Sequence, residues 1–185
     1  MNPFPYSNDN KRYRSLAYEN SLLGKKVYKA VIDAGMTCPN IDGTKGRNGC
    51  IYCGDGSAYF TASPAVPIEK QLADELKRIR AKTPDALAIA YFQAHSNTYA
   101  PLQKLREIFE TALSFEGIYG ISVATRADCL PPEVLDYLAE LNSRTRLTVE
   151  LGLQTAFDET AEKINRGHSF AEFAEAYCAL KDRGI

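Results

Sequence analysis

Thr37-Cys38-Pro39-Asn40-Ile41-Asp42-Gly43-Thr44-Lys45-Gly46-Arg47-Asn48-Gly49-Cys50-Ile51-Tyr52-Cys53 holds three of the chain's five cysteines, spaced Cys-x11-Cys-x2-Cys. The tight turn inside a Cys-x-x-Cys pair points two sulfurs at one metal centre, and the third cysteine returns over a polar loop. Gly43, Gly46 and Gly49 supply the backbone freedom that a chain needs to wrap closely around such a centre. Immediately upstream, Lys26 to Asp33 reads as a strand (Val27, Ala30, Val31 and Ile32 apolar), ended by Gly35. The cysteine loop therefore leaves the carboxyl end of a first strand.

Downstream, apolar periodicity alternates between two forms. Pro67 to Ala81 predicts a helix, with Ile68, Leu72, Leu76 and Ile79 in one stripe. Ala86 to Phe92 is a continuous apolar run of strand length. Helices are predicted over Pro101 to Leu113 and Pro132 to Leu141, and strands over Ile118 to Thr125 and Leu147 to Leu153. A short helix over Asp158 to Asn165 precedes a longer one that starts at Ser169, where Ser169-Phe170-Ala171-Glu172 has the capping-box pattern. Residues 1–22, polar and Tyr-rich, read as an N-terminal extension with one short helix around Ser15 to Tyr18, and 23–185 as the core. This order implies an α/β fold: a parallel sheet covered by helices, with right-handed crossovers, closed either as an open doubly wound sheet or as a complete or partial (β/α) barrel. Lys181-Asp182-Arg183-Gly184-Ile185 reads as a helix end followed by the first residue of another strand, so the natural chain is expected to continue. The outer edge of the fourth strand is then unprotected.

The composition is that of an ordinary globular protein, with 45% hydrophobic and 24% charged residues and a net charge of −1. No apolar run approaches membrane-spanning length, and the N-terminal residues lack a secretory pattern. The expected compartment is the cytoplasm, where cysteines are reduced thiols or metal ligands rather than disulfides. Net charge hides a local imbalance: residues 11–47 carry eight bases against three acids. That segment is either a solvated face or a basic rim that meets a phosphate-rich partner such as RNA.

In α/β folds the reactive end is the carboxyl end of the strands, which is where the cysteine loop belongs. Three thiolates can hold three irons of a [4Fe–4S] cluster and leave the fourth without a protein ligand, whereas electron-carrying clusters normally have four cysteines. The rival metal is zinc, bound by Cys38, Cys50 and Cys53 with His95 as a Cys3His site, or with Cys129 or Cys178 as fourth ligand, in a non-catalytic nucleic-acid- or protein-binding module. Zinc ribbons, however, usually pair two ligand motifs, and one Cys-x-x-Cys exists here. Cys129 and Cys178 otherwise read as buried thiols.

The loop and three further segments together resemble the radical S-adenosylmethionine superfamily, in the bacterial branch related to the Elongator catalytic subunit. The segments are Ala90-Tyr91-Phe92-Gln93-Ala94-His95-Ser96-Asn97-Thr98-Tyr99-Ala100-Pro101, Glu150-Leu151-Gly152-Leu153-Gln154-Thr155 and Asn165-Arg166-Gly167-His168. The resemblance implies a partial (β/α) barrel of about four βα units, C-terminally truncated, with a [4Fe–4S] cluster on Cys38, Cys50 and Cys53. It implies that S-adenosylmethionine chelates the open iron and is cleaved to a 5′-deoxyadenosyl radical that abstracts hydrogen from substrate. It places Tyr52 beside the adenine, Gln93 near the cofactor's amino group (without the Gly-Gly-Glu usual there), and Thr125 and Glu150 facing the site. Gln154 and Arg166 would meet the ribose and the methionine carboxylate, the latter suited to a planar guanidinium. His168 and His95 read as loop-packing residues. A tRNA substrate modified at a wobble uridine and a reductant such as flavodoxin or ferredoxin complete the expectation.

Overall fold

The computed structural model describes Phe4 and residues 11–53 and 61–185. The start and stop signals act where the local chemistry places them. Helix α1 (Leu16–Leu23) is capped by the Ser15 hydroxyl and ends on Gly24 at φ 65°. Prolines precede or open α2 (Ile68–Arg80), α3 (Leu102–Ser114) and α4 (Pro132–Arg144), where their fixed φ costs nothing and their missing N–H is not needed. Helix α5 (Asp158–Lys163) is short, and α6 (Phe170–Asp182) carries the full capping box between Ser169 and Glu172. A 3-10 turn at Ala127–Cys129, which periodicity did not indicate, follows the third strand.

Strands β1 (Val27–Ile32), β2 (Leu87–Phe92), β3 (Ile118–Arg126) and β4 (Arg146–Gly152) form one parallel sheet in the order β1-β2-β3-β4. Among the described residues the order never reverses, so they form no doubly wound switch point, and right-handed crossovers then put the helices on one face. Leu72, Leu76 and Ile79 of α2, Leu105 and Phe109 of α3, and Leu138 and Leu141 of α4 pack with Ala30, Ile32, Ala88, Ala90, Phe92, Ile121 and Val123 of the sheet. The small strand side chains make room for large helix ones, and Phe92 and Phe109 meet at 4.9 Å in a tilted pair.

The other face of the sheet is open. Along β2, Ala88, Ala90 and Phe92 are buried while Leu87, Ile89 and Tyr91 are half-buried, and Lys29 on β1 is exposed. One ion pair reports the curvature. The rung that starts at Lys29 runs through Ile89 and Gly120 to Arg146. Yet Lys29 Nζ reaches Glu150 Oε1 at 2.5 Å, four residues further up β4. Such a diagonal contact needs strands that tilt and curl about a common axis, as they do in a barrel wall. Among the described residues β1 and β4 do not pair with each other, so the fold is a partial, unclosed (β/α) barrel. No helix among them is long and apolar enough to cross a membrane.

Candidate metal and cofactor site

The cysteine loop is fixed at both of its ends. Buried Gln71 of α2 accepts from Asp33 N at 2.9 Å and donates to Asp33 O at 2.8 Å, which anchors the exit from β1. Beyond it the backbone folds on itself: Cys38 O accepts from Ile41 N and Asp42 N, Pro39 O from Lys45 N and Gly46 N, and Asn40 O from Gly49 N. Asn40 is 1% exposed, and its Nδ2 donates to Asn165 O at 2.5 Å and lies 3.5 Å from Cys50 Sγ. A Cβ at Gly46 would collide with Asn40 Oδ1, so this glycine is required by a close approach, and one at Gly167 would stand 2.6 Å from the same atom at a backbone φ of 75°. Asn165 returns the contact, donating to Gly49 O at 2.6 Å, and Ile51 N donates to Ile164 O. The loop is thus clasped to the turn between α5 and α6.

A second brace is ionic. Arg126, at the end of β3, holds Asp128 through two bonds of 2.8 Å and donates to Arg166 O at 2.9 Å. Lys45 of the loop reaches Asp128 at 3.1 Å and Glu172 of α6 at 2.9 Å. Burial would raise the Asp128 carboxyl, but its hydrogen bonds and charge contacts with Arg126 and Lys45 outweigh that and bring it down to about 2. Asn40, Lys45 and Asp128 are supports that a search of the sequence for ligands passes over, whereas Arg126, at the end of the third strand, is legible there as a residue that could face the site.

Cys38, Cys50 and Cys53 all line one cavity of about 760 Å³ at the carboxyl ends of the strands. Cys38 and Cys50 are buried and Cys53 is exposed; all three are free thiols. Burial would raise Cys50, but hydrogen bonds with Tyr52 and Arg166, together with the Arg166 charge, lower it overall. Burial and then the neighbouring Cys50 and Cys38 push Cys53 up, so the three sulfurs share one electrostatic environment. Among the described residues no three His, Cys, Asp or Glu side chains converge on a single-ion point, and the Cys3His zinc set with His95 is not assembled. Soft thiols spread around a cavity suit a larger, multi-iron group. The Arg166 guanidinium adds to that fit: Nη2 donates to Gly152 O at 2.7 Å, Nη1 lies 3.8 Å from Cys50 Sγ, and buried Nε has no partner among the described residues.

Tyr52, Gln93, Thr125, Glu150 and Gln154 also line the cavity, in different states. Tyr52 is half-exposed beside Cys50, and burial followed by that contact raises its phenol. Gln93 follows β2, its backbone donating to Ile32 O at 3.3 Å. Thr125 lines the wall, but its hydroxyl is engaged with Thr98 Oγ1 at 2.6 Å. Gln154 and Arg166 both close on Gly152, where a Cβ would lie 3.3 Å from Gln154 Nε2 and 3.0 Å from Arg166 Nη2. Glu150 sits lower, paired with Lys29. His95 lines the cavity, and His168 is buried with Nδ1 against Ser169 O and Nε2 unpartnered. Cys129 is a buried thiol raised to about 12 by burial and the Asp128 charge, whereas Cys178 is exposed, contrary to the buried thiol that its apolar neighbours imply.

Comparison with known proteins places these features. The sequence profile described as the Radical SAM superfamily matches residues 41–185. The uncharacterized protein YtqA of Bacillus subtilis is 48% identical over 186 residues, covering 100% of this chain and 58% of that protein. Protein YhcC of Escherichia coli is 42% identical over 164 residues, 88% of this chain and 52% of YhcC. Archaeosine synthase subunit beta of Thermococcus kodakarensis is 29% identical over 136 residues, 69% of this chain and 40% of that subunit. The chain spans about half the length of the first two relatives.

Proposed function

The chain belongs to the radical SAM superfamily, and we propose from that premise that Cys38, Cys50 and Cys53 hold a [4Fe–4S] cluster beside S-adenosylmethionine in the cavity they line. The observation that carries this reading is the assembly of all three thiols, with Tyr52, Gln93, Gln154 and Arg166, on one wall at the carboxyl ends of parallel strands. When bound, the two groups supply hydrogen-atom abstraction from a substrate carbon. The chain's own residues do the positioning. Asn40 and the turn at 164–168 hold the three thiols in register. Arg166 puts positive charge beside Cys50, which favours the thiolate that metal binding needs. Gln154 and Arg166, brought together over Gly152, present donors to the ribose hydroxyls and the carboxylate of the cofactor. Tyr52 offers an aromatic body to its adenine.

The substrate proposed is a nucleoside in tRNA, with a wobble uridine as the concrete case. It is supported by the name of the archaeosine synthase relative, since archaeosine is a modified nucleoside, and by the basic excess of residues 11–47. Three of those bases are locally neutralised: Arg14 by Glu19, Lys29 by Glu150, and Lys45 by Asp128 and Glu172. The basic rim is carried by exposed Lys25 and Lys26.

Anaerobic reconstitution with iron and sulfide, followed by dithionite and S-adenosylmethionine, tests the chemistry. A brown protein that releases 5′-deoxyadenosine is expected, and Cys50→Ala should lose both colour and product. Colourless protein with stoichiometric zinc, or product retained by Cys50→Ala, would overturn the assignment. Nucleoside analysis of tRNA incubated in the same reaction separates the substrate question: unchanged nucleosides beside abundant 5′-deoxyadenosine would sink the tRNA reading alone.

A further inference from the structure

Below the cysteine wall, on the open face of the sheet, one side chain from each strand meets the others. Lys29 Nζ (β1) donates to Glu150 Oε1 (β4) at 2.5 Å and stands 3.7 Å from the centre of the Tyr91 ring (β2). The Tyr91 hydroxyl donates to Glu150 Oε2 at 2.6 Å, and Ser122 Oγ (β3) donates to Oε1 at 3.3 Å. The group is not sealed: the Lys29 and Glu150 side chains are 48% and 37% exposed, and Tyr91 and Glu150 line the cavity.

The hydrogen bonds within the group leave part of its capacity facing the cavity. A carboxylate offers about four lone-pair positions and an ammonium three donors. Oε1 accepts from Lys29 and Ser122, and Oε2 accepts from Tyr91 alone. Lys29 gives one N–H to Glu150 and aims its charge at the Tyr91 ring. Among the described residues, one acceptor position on Oε2 and one donor on Nζ remain, side by side because the two groups touch. Burial alone would raise Glu150, but Lys29 and Tyr91 hold its carboxyl below the usual range, so the pair is a dipole without net charge. Such a floor favours neither a phosphate, which would meet Glu150, nor an ammonium, which would meet Lys29.

We propose that Lys29 and Glu150 recognise the substrate through a cis-amide edge, the adjacent N–H and C=O of a nucleobase ring, with the N–H donating to Glu150 Oε2 and the carbonyl accepting from Lys29 Nζ. A peptide backbone amide is trans and points its N–H and C=O to opposite sides, so it cannot engage both groups. The assignment rests on the cavity being a radical SAM substrate chamber, and it moves Glu150 from the cofactor to the substrate.

Uridine and 3-methyluridine, which lacks the ring N–H, are the probes, titrated calorimetrically into the reconstituted chain. Uridine is expected to bind and 3-methyluridine to bind about tenfold more weakly, the loss that one unmatched charged hydrogen bond brings. Glu150→Gln should weaken uridine by a similar factor and shrink the discrimination, whereas Lys29→Met should weaken both nucleosides and leave the discrimination in place. Equal binding of the two nucleosides, binding of neither, or unchanged affinity in both variants would overturn the proposal. So would N-acetylalanine N-methylamide, a trans-amide probe, binding as tightly as uridine. If either variant fails to fold, the comparison of the two nucleosides on the unaltered chain still decides. Release of 5′-deoxyadenosine by the same preparation is read separately: cleavage without discrimination overturns the recognition site alone, and discrimination without cleavage overturns the cluster chemistry alone.

Discussion

Asn40 carries no reactive chemistry, yet the cysteine loop depends on it. Its buried amide joins the loop to Asn165 across 125 residues of sequence. Asn40→Ala removes that hydrogen bond and empties a buried position, a loss of about 1 kcal/mol. Lower thermal stability and a lower iron content after reconstitution are expected, and full iron loading would show that the clasp does not position the thiols. Gly167→Ala should be at least as damaging, because it adds a side chain at φ 75° and 2.6 Å from Asn40 Oδ1. Asp128 makes the site sensitive to acid. Its folded carboxyl lies at about 2, below the ordinary 3.8, so the ionised form favours folding. That stabilisation, on the order of 2 kcal/mol, is complete above pH 3.8 and disappears as pH falls through about 2. Urea midpoints should therefore fall less steeply between pH 4 and pH 2 in Asp128→Asn than in the unaltered chain; equal slopes would remove Asp128 from the acid response.

At the scale of elements, α6 is both a wall of the fold and a brace of the site. Its Glu172 completes the capping box with Ser169 and receives Lys45 from the loop. Ser169→Ala removes an N-cap and should cost about 1 kcal/mol. If the cap also aligns Glu172 for Lys45, the reconstituted iron content will fall along with the melting temperature; a drop in melting temperature alone confines the residue to its helix. Helix α3 answers for the sheet. Phe109 is fully buried between Phe92 and Tyr137, so Phe109→Ala should destabilise by about 3–5 kcal/mol in a urea titration. The same helices were legible from apolar spacing because i, i+4 and i, i+3 stripes are a local property, and the prolines that open them act on their own backbone.

For the whole molecule, the strand order and the Lys29–Glu150 diagonal state one fact: the sheet curls about an axis, and one of its faces becomes the wall of a chamber. Exposed charge outside that chamber governs encounters with a polyanion. On the tRNA reading, Lys25→Glu together with Lys26→Glu should weaken tRNA binding and lower the salt slope by about 1 for each phosphate that the protein no longer neutralises, without changing 5′-deoxyadenosine release in the absence of tRNA. An unchanged slope would place the RNA surface elsewhere.

The sequence alone settled the alternation of strands and helices and the three-thiol motif after β1, since apolar period and cysteine spacing are written within a few turns of chain. It could not separate Ala88, Ala90 and Phe92, which lie under the helices, from Leu87 and Ile89, which face the open side, because both sets are apolar and alternate along one run. Nor could it pair Lys29 with Glu150, 121 residues apart, or Asn40 with Asn165. Those contacts exist only once tilted strands bring β1 level with β4 and the turn after α5 folds back over the loop. Tertiary structure thus decided which of the expected residues share the cavity wall. It left Cys178 outside it, tied up the Thr125 hydroxyl, and set Glu150 against a lysine.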